Sequence, residues 1–181
     1  MRSEKGFTLL ELIVVVSVIG ILATIFLGKV MRYQEEAERV AMEQVAANIQ
    51  GGLNLQVAAM IARGQEKKLP DLVNENPMDW LAKKPDNYLG ERFDPGLNDL
   101  KPGYWYFDLK DRTLVYEVDR GEHFVADPLG RKEVRYRVSL IYGQPVKENV
   151  KSADNSEVSG VILGLTQPYQ WFETKSVAFE P

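Results

Sequence analysis

The stretch Met1–Val30, MRSEKGFTLLELIVVVSVIGILATIFLGKV, decides the fold. No charge occurs from Leu12 to Gly28, and the run from Phe7 to Val30 is broken only by Glu11 and Lys29. As a helix rising ~1.5 Å per residue it is ~36 Å long, enough to cross a hydrocarbon core of ~30 Å. Arg2 and Lys5 precede it and favour a cytoplasmic N-terminus. A secretory signal peptide needs a small-residue cleavage site after the apolar run. Here Leu27 is followed by Gly-Lys-Val-Met-Arg, which offers none. A plain signal anchor fits the length and flanks but leaves Glu11 unexplained.

A carboxylate in an apolar span costs ~2.5–3.5 kcal/mol on insertion scales, so it normally has a partner and marks a functional site. A cut just before Phe7 supplies one. The new α-amino group carries a positive charge four residues from Glu11, one helical turn away, within reach in the same chain or the next subunit. Gly6 suits the cut, because a missing Cβ lets a protease bring its catalytic groups close to the backbone.

The run Lys5-Gly6-Phe7-Thr8-Leu9-Leu10-Glu11-Leu12 closely resembles the type III signal of bacterial type IV prepilins and type II secretion pseudopilins. The resemblance implies cleavage between Gly6 and Phe7 by a membrane aspartyl protease, which then methylates the new N-terminal Phe7. It implies that Glu11 recognises the N-terminal amine of a neighbouring subunit during assembly. The implied partners are the prepilin peptidase/N-methyltransferase, other pilin or pseudopilin subunits and an inner-membrane assembly platform. The implied location is the bacterial inner membrane, with a single pass and a periplasmic head, and then a filament. Gly20 and Gly28 stand where pilins often carry Gly and Pro, in a segment that unwinds within the filament. The alternative is that both glycines simply permit close helix contacts in the membrane.

Helical periodicity continues past the apolar run. Ala37, Ala41, Val45, Ile49, Leu53, Val57 and Ile61 recur every four residues, with Val40 and Met60 beside them. Glu35, Glu36, Glu38, Arg39 and Glu43 are expected mostly off this stripe. No proline intervenes before Arg63-Gly64, a plausible stop, so one helix is expected over 7–63, ~85 Å long. Gly51-Gly52 lowers its propensity and marks a bend or close packing.

Beyond Gly64 the composition turns to loops and short strands. Residues 65–76 read as a polar link, and Asn76-Pro77 as the N-cap and N1 of a short helix to about Lys83, with Trp80 and Leu81 pinning it to the core. Residues 85–103, rich in Pro and Gly, read as a loop. Strands are expected over 104–107 and 113–118 around the turn Lys110-Asp111-Arg112, then over 133–142, 158–165 and a short edge piece at 169–172. The polar segment 147–157 reads as a surface loop. The expected fold is α+β: a long N-terminal helical spine, half membrane and half amphipathic, packed on a small antiparallel sheet. Its divisions are a leader at 1–6, a membrane half at 7–30, an amphipathic half at 31–63 and a head at 64–181.

Residues 76–81, 87–91 and 102–108 are similar to minor pilin-like proteins of mannose-sensitive haemagglutinin-type pilus systems, which implies a minor subunit binding or priming at a filament tip. The composition narrows other classes. The 181-residue chain has net charge −4, which disfavours nucleic acid as a partner. It has no cysteine, so no disulfide or thiolate metal site. Its single histidine, His123, removes most zinc and His-based catalytic arrangements, and reads as structural or merely exposed. No cofactor or metal is expected: Asp154, Asn155 and Glu157 lack a calcium-loop spacing. Asp108, Asp111, Glu117 and Asp119 are expected on solvated faces and turns, so an enzyme is disfavoured.

Overall fold

The computed structural model describes residues 7–96, 100–142, 158–172 and 174–175. Helix α1 runs unbroken over Leu9–Ala62. The chain divides into two compact units, one ending at Ala37 and the other starting at Glu38.

In the first unit every large apolar side chain from Phe7 to Leu27 is exposed. A helix that is apolar all round has no internal partner to bury against, and its natural surroundings are lipid or other helices. Its hydroxyls are satisfied internally. Ser17 donates to the Ile13 carbonyl at 2.8 Å and Thr24 to the Gly20 carbonyl at 2.9 Å, as apolar surroundings demand.

In the second unit the rest of α1 packs on a five-stranded sheet of order β1-β2-β3-β4-β5. The strands are β1 Tyr88–Arg92, β2 Trp105–Asp108, β3 Thr113–Glu117, β4 Glu133–Tyr142 and β5 Val158–Leu165. Strands β2 to β5 are antiparallel neighbours, as expected. The sheet is nevertheless mixed, because β1 pairs with β2 in parallel. Parallel neighbours require a crossover of about a dozen residues, and the Pro- and Gly-rich stretch between β1 and β2 supplies it. The segment read as a loop over 85–103 thus contains a strand. Gly90, at φ +85°, sits where the β1 register shifts.

The polar link at 65–76 is mostly a 3₁₀ helix, Glu66–Asn74, that buries Leu69 and Leu72. The short helix after Asn76 is 3₁₀ and stops at Trp80. Asn76 caps it as expected, accepting from the Met78 N–H at 3.1 Å. The piece at 170–171, β6, is not an edge of the main sheet: it pairs with β7, Thr174–Lys175, in a separate ribbon.

Two apolar clusters lie between α1 and the sheet. Met42 and Ile49 meet Trp105, Phe107, Leu114, Tyr116, Val134 and Tyr136. Leu53 and Val57 meet Leu69, Leu72, Val138 and Val161. The buried face of α1 is therefore not the four-residue series read from the sequence. A helix turns ~100° per residue, so steps of four drift ~40° each. Val45, Ile49, Leu53 and Val57, in the middle of that series, stay on the face, while Ala37, Ala41 and Ile61 at its ends are exposed. Met42 takes the position that the series assigned to Ala41.

Helix α1 ends at Gly64, φ +67°. The Gly64 N–H donates to the Ile61 carbonyl and the Gln65 N–H to the Met60 carbonyl, both at 2.9 Å. That is the paired closure of a Schellman motif, which requires the left-handed residue that glycine provides. Gly52 has a different role. A Cβ there would lie 2.9 Å from the Trp80 carbonyl oxygen, whereas one at Gly51 would meet nothing within 4 Å. Close packing is the use of Gly52, not of Gly51.

Candidate functional site

At the N-terminal end Thr8 precedes the first helical residue, and its hydroxyl accepts from the Glu11 N–H at 3.2 Å. The Thr8 carbonyl accepts from Leu12 N–H at 3.2 Å. Thr8 is thus an N-cap, and Thr8-Leu9-Leu10-Glu11 has the spacing of a capping box. Sequence reasoning passed over Thr8, although a Thr three residues before Glu, at the head of an apolar run, is a recognised helix-start signal. An acid in the first turn also complements the positive end of the helix dipole. The carboxylate of Glu11 is exposed and has no partner among the described residues. Phe7 is 80% exposed. Gly6 lies outside the described residues, as do Asp154, Asn155 and Glu157. A Cβ at Gly20 or Gly28 would meet nothing within 4 Å, and the helix continues through both positions.

In the second unit Glu38, expected off the packed stripe, is a tie between α1 and the connection after β3. Its Oε1 accepts from the Asp119 N–H at 2.7 Å and the Tyr116 hydroxyl at 3.0 Å, and its Oε2 from the Arg120 N–H at 2.8 Å. Gln50 makes a second tie, accepting from the Leu163 N–H of β5 at 2.7 Å.

The sheet face turned away from α1 carries a cluster of charges. Side chains alternate along strands, which places Tyr106, Asp108, Thr113, Val115, Glu117, Glu133 and Arg135 together. Arg135 donates to both oxygens of Glu133, at 2.7 and 3.2 Å, and to Thr113 Oγ1 at 3.4 Å. Its Nη1 lies 3.7 Å from Asp108. Arg131 bridges Glu133 at 3.1 Å and Asp127 at 2.9 Å. Asp108 and Glu133 are buried and Glu117 is half-buried with one buried oxygen, so the expectation that Asp108 and Glu117 sit on solvated surfaces is corrected. Burial first, and Glu133 second, push the Glu117 carboxyl up to about 7, against the pull of Arg135 and Arg131. Beside the cluster is a pocket of about 250 Å³, walled by Phe124, Pro128, Pro168 and Tyr169, with Glu133 and Arg135 on its polar side. His123 is exposed and stacks on Phe172 with ring centroids 5.0 Å apart.

Residues 1–27 match the family model of the prokaryotic N-terminal methylation motif. The match indicates a prepilin of the type IV pilin and pseudopilin kind, and it overlaps the start of a helix, Leu9–Ala62, that is long and apolar enough to cross a membrane. The particular pilin type is left open by that match. No curated protein matches the chain significantly, and neither does any solved structure.

Proposed function

We propose that the chain is the precursor of a filament subunit. A leader, residues 1–6, is cut between Gly6 and Phe7, Phe7 is N-methylated, and the mature subunit enters a type IV pilus or a type II secretion pseudopilus. The observation that carries this reading is the methylation motif at residues 1–27 on a helix whose large apolar side chains up to Leu27 are all exposed. The new amine stays cationic after one methylation and answers Glu11, in the same subunit or its neighbour. Before assembly the segment 7–30 lies in the inner membrane, the basic N-terminus is cytoplasmic and the head, 64–181, is periplasmic. Assembly exchanges lipid for neighbouring spines along 7–30, while 31–63 carries the head.

Mass spectrometry of the chain isolated from membranes tests the first step. The expected N-terminus is methylated Phe7, and an intact Met1 or an unmethylated Phe7 overturns the reading. For the second step, Glu11→Ala is expected to reduce incorporation into filaments on the order of tenfold, as loss of a ~1.4 kcal/mol pairing does, with the amount in the membrane unchanged. Incorporation at the wild-type level removes Glu11 from the mechanism. A minor subunit at the filament tip is the second reading, favoured by the similarity of residues 76–81, 87–91 and 102–108 to minor pilin-like proteins. Its abundance in purified filaments separates it from a bulk subunit.

A further inference from the structure

Among the described residues, the carboxylate of Glu117 is the one member of the charged cluster with a buried oxygen, Oε1, that has no hydrogen-bond partner. Its neighbour across the strand pair is another acid: Glu117 stands directly opposite Glu133 in the β3–β4 register. Like charges directly opposite each other destabilise a sheet. Glu133 cannot relieve the pair by losing its charge cheaply, because both its oxygens already accept from Arg135, and Oε1 also meets Arg131. Glu117 has no such support. An unpaired buried charge is more costly than a neutral acid, and the neutral acid can donate where the anion cannot.

The groups around Glu117 come from each neighbouring element. Glu133 and Arg135 face it from β4, and Arg131 from the turn before β4. Tyr106 faces it from β2. Tyr104, whose carbonyl accepts from the Glu117 N–H at 3.0 Å, is next to it at the start of β2 and carries Lys101 on its hydroxyl and ring. None of these cations donates to the orphaned oxygen. The pocket that exposes Glu133 and Arg135 gives protons a route to the pair.

The position of Glu117 gives its protonation a consequence. It is the last residue of β3. Two and three residues on, the backbone N–H groups of Asp119 and Arg120 bind Glu38 of α1. Between them the Val118 N–H donates to the Lys132 carbonyl. A displacement of Glu117 is therefore passed directly into the tie that holds the helix.

We propose that Glu117 and Glu133 form a proton-binding site at the end of β3, and that loss of its proton loosens the Glu38 tie between the head and α1. The sign follows from linkage. A carboxyl held near 7 in the folded protein, against 4.5 when unfolded, stabilises the fold most at acid pH, and this contribution fades as pH rises from the unfolded value through the folded one. The head accordingly grips α1 more tightly at pH 6 than at pH 8.5.

The test is hydrogen exchange at the Asp119 and Arg120 amides of the full chain in detergent micelles, corrected for the intrinsic pH dependence of exchange. Protection is expected to fall on the order of tenfold from pH 6 to pH 8.5, the change that one unit of linked titration delivers. In Glu117→Gln, which keeps a neutral donor of the same shape, protection is expected to stay level over that range. Isotope-edited infrared spectroscopy supplies a second readout that does not depend on the stability of the variant. The wild-type chain should show a protonated carboxyl band at pH 6 that disappears by pH 8.5. Level protection in the wild type, or no such band at pH 6, overturns the proposal.

Discussion

Helix α1 is one continuous rod with two unlike halves. Up to Ala37 its apolar side chains point in all directions, and its hydroxyls turn back on its own carbonyls. From Glu38 onward the buried apolar side chains, Met42, Ile49 and Leu53, lie on one face, and the polar Glu38 and Gln50 reach across to accept from backbone N–H groups of the head. The same secondary structure thus serves two solvents. In the first half helix formation alone disposes of every backbone group, and partners come from outside. In the second, tertiary packing supplies the stabilisation, as it does for most helices in water. The difference teaches that continuity of a helix says nothing about continuity of its surroundings.

The sharpest way to break this comparison is to make one substitution in both halves. Ile49→Ala empties a fully buried site in the cluster with Trp105 and Leu114 and is expected to cost the head about 2–5 kcal/mol. Ile19→Ala, at an exposed site, should leave it unchanged. Thermal unfolding of the full chain in micelles, followed by the near-ultraviolet signal of the head tryptophans, reads both. If Ile19→Ala lowers the midpoint as much, the halves are not independent.

The glycine pair gives a finer contrast between adjacent residues. At Gly52→Ala the added carbon meets the Trp80 backbone, and overpacking of this kind costs about 1–3 kcal/mol. At Gly51→Ala it meets open space, so helix propensity should raise stability by about 1 kcal/mol. Opposite shifts of the denaturant midpoint are the expected outcome. A further effect, of similar size to those at the glycine pair, concerns the tie itself. Glu38→Ala removes the acceptor of two backbone donors and the Tyr116 hydroxyl. Because the donors at Asp119 and Arg120 regain water, a loss of about 1.5 kcal/mol is expected, with exchange protection lost first at those two amides.

Much of the fold was legible because its signals are local. Strands β4 and β5 begin and end where alternation and composition place them, at Glu133–Tyr142 and Val158–Leu165. The helix stop at Gly64 is written in one residue. Strand β1 was not legible, because Tyr88-Leu89-Gly90-Glu91-Arg92 carries a glycine and two charges and becomes a strand only by pairing with β2. The N-terminal methylation motif was readable in the sequence, and the cost of Glu11 in an apolar run is visible without coordinates. Its Thr8 cap was overlooked beside the more conspicuous acid. In the head, Glu133 and Arg135 alternate with Val134 and Tyr136 just as residues on a wet face would. Periodicity separates two faces of a strand, but it does not say that both are covered. The role of Glu38 depends on two amides some eighty residues downstream, and no local pattern encodes such a partner.

The Glu38 tie also has a mechanical meaning. Glu38 is the first residue of the second unit, so tension travelling along α1 from its N-terminal end reaches this carboxylate before the apolar clusters. Two charge-assisted bonds to consecutive backbone amides take that load together, and the strand behind them, β3, is hydrogen-bonded on both sides within the sheet. Gln50 and β5 carry the next share. The head is thereby fastened to its rod at staggered points, as a rope is belayed, and a pull has to break bonds at two separate places along one sheet before it can strip the sheet from the helix.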